Sequence, residues 1–225
     1  MAEGHRERLR QRFVNEQIDD LPEYVVLEMM LQGVIARRDT CELARTLIKS
    51  FGSIAQVIDA PMEELVKIPG MGKAAAFHLK LIPKFYRRYA LSKWDKTLIF
   101  HDSELAGRYL ADKFIGYTTE AVFMICMDVN CRMLQCVKVF EGNVNAVEVS
   151  VRKVVEVALK FNSSRVIIAH NHLGGNALPS AGDISTTQKL YEVLASSGVV
   201  LDDHIIVADD DFVSLAQSGY VNHTR

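Results

Sequence analysis

A chain of 225 residues with 49% hydrophobic content has enough apolar material for one large domain or two small ones, which excludes a disordered protein. Its most apolar runs, at 121–127 and 166–169, are far shorter than the ~20 residues of a membrane-spanning helix. The start MAEGHRERLRQRF is charged with no apolar stretch behind it, so no secretory signal and no membrane contact are expected, and the cytoplasm is the predicted compartment. The net charge of −2 is unevenly spread: residues 1–96 carry 16 Lys and Arg against 13 Asp and Glu, residues 97–225 carry 10 against 15. That basic excess is too small for a dedicated DNA-binding domain.

From Glu3 to about Tyr89 apolar residues recur at three and four spacing, as in Leu43, Leu47, Ile48 and Phe51, which predicts helices. Breaks at 19–22, 38–40, Gly52 and 69–72 divide them into several short ones, so residues 1–96 are expected to form a small all-α domain. Within it, LVKIPGMGKAAAFHLK has a helical approach, a tight IPGMGK turn and an Ala-rich second helix, and resembles the helix-hairpin-helix motif. That resemblance implies that Gly70 and Gly72 let backbone amides at the second helix start meet a DNA phosphate, with Lys73 adding charge. A Gly-x-Gly turn is equally the way any compact helical hairpin closes, which leaves protein docking or a purely structural role open.

The polar stretch 92–96 reads as a linker, after which β-rich segments alternate with helical ones. A helix is predicted over 103–114, strands over 121–128 and 132–140, a helix over 148–161, a strand over 165–170, a helix over 184–197 closed by Gly198, and a strand over 199–207. Residues 97–225 are therefore expected to form an α/β (α+β) domain, a mixed sheet flanked by helices. Asp209, Asp210 and Asp211 read as a solvated turn. Cys41, Cys126, Cys131 and Cys136 contain no CxxC pair, and reduced thiols are expected.

The segment VIIAHNHLGGNALPSAGD runs a buried strand into a Gly-rich loop that ends at a helix start. Residues two apart on a strand project to one face, so His170 and His172 can aim at a single point while Asn171 faces away. Asp183, eleven residues after His172, falls at the beginning of the next helix, where Gly174, Gly175 and Pro179 let the loop fold back. Two histidines, a carboxylate and a water form the open arrangement of hydrolytic zinc, whereas a closed structural site requires a fourth protein ligand. No cysteine stands within 30 residues of the pair. SAGD is at the same time a helix N-cap with an acidic N3, and the two roles are compatible.

These residues match the JAMM motif of MPN-domain metalloproteases, and the wider run from Gly142 through HNH to LDDHIIVADDDFVSL resembles the bacterial RadC family, whose members place a helix-hairpin-helix region before an MPN domain. The resemblance implies zinc held by His170, His172 and Asp183, with Ser180 donating a hydrogen bond to the tetrahedral intermediate. After the second histidine the chain has Leu173 and Gly174 where that family usually shows Pro and Ser. MPN enzymes also place a glutamate at the start of an early strand, a place that Glu120 fills as general base and acid, with Glu141 and Glu148 as weaker candidates. His204, beside Asp202 and Asp203, is read as an orienting or structural residue outside the ligand set.

The leading expectation is a zinc-dependent hydrolase acting on a peptide or protein substrate. The rival is a DNA-associated accessory protein with a structural or idle metal site. A zinc nucleobase deaminase would need a Pro-Cys-x-x-Cys element, which the chain lacks.

Overall fold

The computed structural model describes residues 2–15, 17–36, 38–95, 97–142 and 151–220. The chain divides into two compact units, residues 1–86 and 87–225. The first is helical, with α1 (Ala2–Asn15), α2 (Glu23–Gln32), α3 (Cys41–Phe51), α4 (Ile54–Asp59), α5 (Met62–Leu65) and the greater part of α6 (Lys73–Ser92). The apolar spacing of the sequence becomes one core, in which Leu27, Leu31, Leu47, Leu65 and Leu79 are fully buried. Gly52 ends α3 at φ 104°, and Ser53 caps α4 by accepting from the Gln56 amide. The break at 69–72 is the turn into α6, with Gly70 at φ 91°.

The division between the units falls inside α6, between Tyr86 and Arg87, and not at the polar stretch expected to be a linker. Side chains with mixed character explain the difference. Arg87 lies over the Tyr117 ring at 4.8 Å and donates to the Ile115 carbonyl at 3.3 Å. Trp94, inside the polar run, packs edge-on against Tyr109 at 5.6 Å and donates its indole N–H to Asp112 at 2.7 Å. Both contacts draw the end of α6 and the residues after it into the second unit. Among the described residues no helix is long and apolar enough to cross a membrane.

The second unit contains α7 (Ser103–Phe114), β1 (Glu120–Met127), β2 (Met133–Gly142), α8 (Val151–Lys160), β3 (Arg165–Asn171), α9 (Ala181–Ser196), β4 (Val200–Ala208) and β5 (Asp211–Ser214). The start of the helix expected over 148–161 lies outside the described residues. The sheet order is β2-β1-β3-β4-β5, antiparallel throughout except for the parallel pair β3 and β4, which α9 connects. One face packs on α7 through Phe123, Ile125, Ile167 and Ile205, the other on α8 and α9 through Met124, Ile168, Leu190 and Leu194. Burial on both faces is why β1 and β3 read as continuous apolar runs without alternation.

β5 was not expected. The solvated turn is confined to Asp209, at φ 54°, and Asp210, while Asp211 opens a strand of only four residues. A segment that short shows no period of its own. It is held by pairing with β4 and by Phe212, whose ring crosses α7 so closely that a Cβ at Gly107 would meet it at 2.2 Å.

Asp203 ties these elements together. Its buried carboxylate accepts from Ser103 Oγ and Ser214 Oγ, each at 2.6 Å, and from the amides of His204 at 2.7 Å and Ala216 at 3.0 Å. Asp203→Ala strands both backbone N–H groups and should lower the stability of the chain by about 3 kcal/mol in urea denaturation. An unchanged midpoint would show that the network contributes nothing.

Candidate metal centre

The parallel pairing of β3 with β4 carries His170 and Asn171 to the strand end opposite Ile206 and Val207, and His172 prolongs the ladder by donating its amide to Val207 O at 2.8 Å. The period-2 geometry thus extends one residue past the strand. Both histidines project towards α9. The chain then reverses through Gly174 and Gly175, at φ 93° and 98°, conformations that residues with a Cβ rarely adopt. Ser180 starts α9 with a complete capping box: its hydroxyl accepts from the Asp183 amide, and the Asp183 carboxylate accepts from the Ser180 amide at 2.8 Å. The cap holds Asp183 in front of the histidines.

Ligand atoms of His170, His172 and Asp183 lie within 4.8 Å of one another. His170 Nε2 is 3.0 Å from His172 Nε2 and 3.2 Å from Asp183 Oδ1, and His172 Nε2 is 3.6 Å from Asp183 Oδ2. The edge of a tetrahedron around a zinc with ligand distances of about 2.0–2.1 Å is about 3.4 Å, so these separations bracket it. Protonation fits as well. His172 Nδ1 faces the Asn176 carbonyl at 2.9 Å, and a carbonyl only accepts, so Nδ1 carries the proton and Nε2 presents a lone pair. Burial would raise the pKa of Asp183, but the Ser180 hydroxyl and amide donate to it, and the carboxyl is held below the usual carboxylate range. These three side chains could hold a divalent metal ion.

Glu120 is the first residue of β1, two before Val122, which sits opposite His170. It lines the same cavity of about 520 Å³ as His170, His172, Asp183, Leu173 and Ser180. Among the described residues no hydrogen bond or ion pair occupies its carboxyl. Glu141 is engaged instead by Lys138, whose hydrogen bond lowers its pKa, and by Thr119 at 3.3 Å, and it does not line the cavity. Glu148 lies outside the described residues. Gly70, Gly72 and Lys73 belong to the helical unit, with Lys73 opening α6.

The Ser180 hydroxyl donates to Asp183 Oδ2 at 2.6 Å and so orients the carboxylate. Three residues without an assigned task in the sequence also prove to matter. Asn176 sets the His172 tautomer. Asn171 turns to the other face of the sheet, accepts from the Ala121 amide at 2.7 Å and donates to Thr119 O at 3.2 Å, clamping the backbone on both sides of Glu120. Thr187, on α9, meets the buried His204 at 2.5 Å. Burial pushes His204 down to about 3, so it is neutral at physiological pH. The sequence offered one signal for Asn171, a polar residue between two apolar-strand histidines; nothing in it pointed to Asn176 or Thr187.

A layered unit whose parallel strand pair ends in two histidines facing a capped helix start is the architecture of a JAB, or MPN, domain. Residues 100–220 match the family described as RadC-like JAB domain. The chain is 30% identical over 221 residues to a UPF0758 protein of Shewanella baltica strain OS185, covering 98% of this chain and 96% of the relative. It is 31% identical over 226 residues to a UPF0758 protein of Ruegeria pomeroyi, covering 96% and 97%. The chain belongs to the RadC family.

Asn171→Ala leaves the buried Ala121 amide without an acceptor and should cost about 1–3 kcal/mol of stability. A urea midpoint equal to that of the parent chain would remove the clamp from the account.

Proposed function

We propose that this chain is a zinc-dependent hydrolase of the JAMM type, cleaving a peptide or isopeptide bond in a peptide or protein substrate. The observation that carries the reading is the convergence of His170 Nε2, His172 Nε2 and the Asp183 carboxylate in a cavity that also holds Glu120. Three ligands with no cysteine among them favour the open, hydrolytic arrangement over a structural site. Zinc held there supplies Lewis acidity and lowers the pKa of a coordinated water.

The remaining chemistry belongs to side chains of the chain itself. Asp183 offers Oδ1 while Ser180 holds Oδ2, so the carboxylate cannot swing away from the histidines. Glu120 accepts a proton at its carboxylate and returns it to the departing amine, a task that requires a carboxyl not already committed to a cation. Leu173, half exposed on the cavity wall, offers an apolar surface to a substrate side chain. Four free thiols suit a reducing cytoplasm.

Metal analysis of the purified protein should find about one zinc per chain, with most of it lost in His170→Ala, His172→Ala and Asp183→Ala. Undiminished zinc in the His172 variant would sink the assignment. Glu120→Gln should keep zinc and fold yet hydrolyse peptide and isopeptide substrates about a hundredfold to ten-thousandfold more slowly. Full activity in that variant would mean that the base is elsewhere.

A second reading, weak contact with DNA, rests on the turn before α6. Gly70 is at φ 91°, and a Cβ at Gly72 would meet nothing within 4 Å, so the backbone beside Lys73 is open. A phosphate seated there would add a salt-sensitive, sequence-independent contact. Lys73→Glu should weaken duplex binding at low salt in a fluorescence-anisotropy titration; unchanged binding excludes this turn as the contact.

A further inference from the structure

The His170 imidazole meets His204 with the nitrogen that does not face the ligand cluster. His170 Nδ1 is 2.8 Å from His204 Nε2, and His204 Nδ1 is 2.5 Å from Thr187 Oγ1. The Thr187 hydroxyl lies 2.6 Å from the backbone carbonyl of Asp183. The two histidine contacts are buried and the last is partly so, with His170, His204 and Thr187 exposed by 7%, 3% and 2%. The chain of contacts therefore begins at the imidazole of one candidate ligand and ends on the main chain of another.

Its polarity follows from the last contact. A carbonyl oxygen has no proton to give, so the Thr187 hydroxyl donates to Asp183 O; turned the other way, two oxygens would face each other at 2.6 Å with no hydrogen between them. Thr187 Oγ1 then accepts from His204 Nδ1–H. His204 Nε2, left with a lone pair, accepts from His170 Nδ1–H. His170 Nε2 is consequently unprotonated. His172 reaches the same state by a separate route, through the Asn176 carbonyl.

We propose that Thr187 and His204 are positioning residues that set the tautomer of His170, so that its Nε2 faces the metal as a lone pair. The inference rests on the zinc reading above and extends it to side chains that touch no metal. The consequence is that two imidazole lone pairs confront each other at 3.0 Å, an arrangement that is repulsive by itself and attractive only around a cation. The relay also couples ligands physically: a shift of α9 that moves Asp183 is felt at His170 through Thr187 and His204.

The discriminating substitution is Thr187→Val, which preserves shape and removes the hydroxyl. His204 Nδ1–H then has no acceptor, the polarity is no longer enforced, and His170 is free to carry its proton on Nε2. Zinc affinity, measured by competition with a chromogenic chelator, should fall about ten- to a hundredfold. Thr187→Ser, which restores the hydroxyl, should bind zinc like the parent chain. The metal-free parent chain provides a second measurement that needs neither substrate nor a variant. In buffer alkaline enough that a free imidazole is neutral, ring nitrogen-proton NMR correlations should place the protons of His170, His172 and His204 on Nδ1. A proton on His170 Nε2 overturns the proposal, as does Thr187→Val binding zinc as tightly as the parent. If the parent chain shows the expected tautomers but takes up no zinc, the zinc reading fails while the relay stands.

Discussion

Three lone pairs brought to one point without a proton between them require a source of order, because each pair repels the others and each side chain would otherwise rotate away. The second unit supplies that order from three directions. The Asn176 carbonyl holds His172, the Ser180 cap holds Asp183, and the interior chain through His204 and Thr187 holds His170. Each route ends on a main-chain group, a carbonyl behind His172 and behind His170 and the Ser180 amide at Asp183, so the arrangement rests on atoms that cannot change their donor or acceptor character. Side chains alone would leave the tautomers free.

The sheet explains why those directions meet. A parallel pair places the ends of β3 and β4 side by side, and the connection between them must cross as a helix, so α9 begins above the strand ends. A helix start needs an acceptor for its free amides, and Ser180 with Asp183 meets that need. The Asp183 carboxylate is thus placed by the ordinary requirement of capping. On the far side of the strand, Asn171 spends both ends of its amide on the chain around Glu120. In His-Asn-His, two residues therefore face the cavity and the middle one fixes the neighbouring strand that brings Glu120 to it.

Much of this was legible in the amino-acid order because it is local. Period 2 in HNH predicts a shared face, SAGD predicts a cap, and the LGGN loop predicts the reversal between them; all depend on contacts within a few residues. The α/β character of the second unit was legible for the same reason, since β1 and β3 are apolar throughout and the helices carry their own period. β5 was not, because four residues show no period and the strand exists only by pairing with β4.

The sequence by itself determined the two histidines and the carboxylate of the candidate site, their spacing and the helix start that presents the carboxylate. Only the tertiary structure decided that β1 enters beside β3 to bring Glu120 into the cavity, that Trp94 belongs to the second unit, and that Thr187 and His204 stand behind His170. The reason is range. His170 and His204 are 34 residues apart and Ala121 and Asn171 are 50 apart, and contacts at such separations are set by strand order and helix crossing, which leave no periodic trace in either segment.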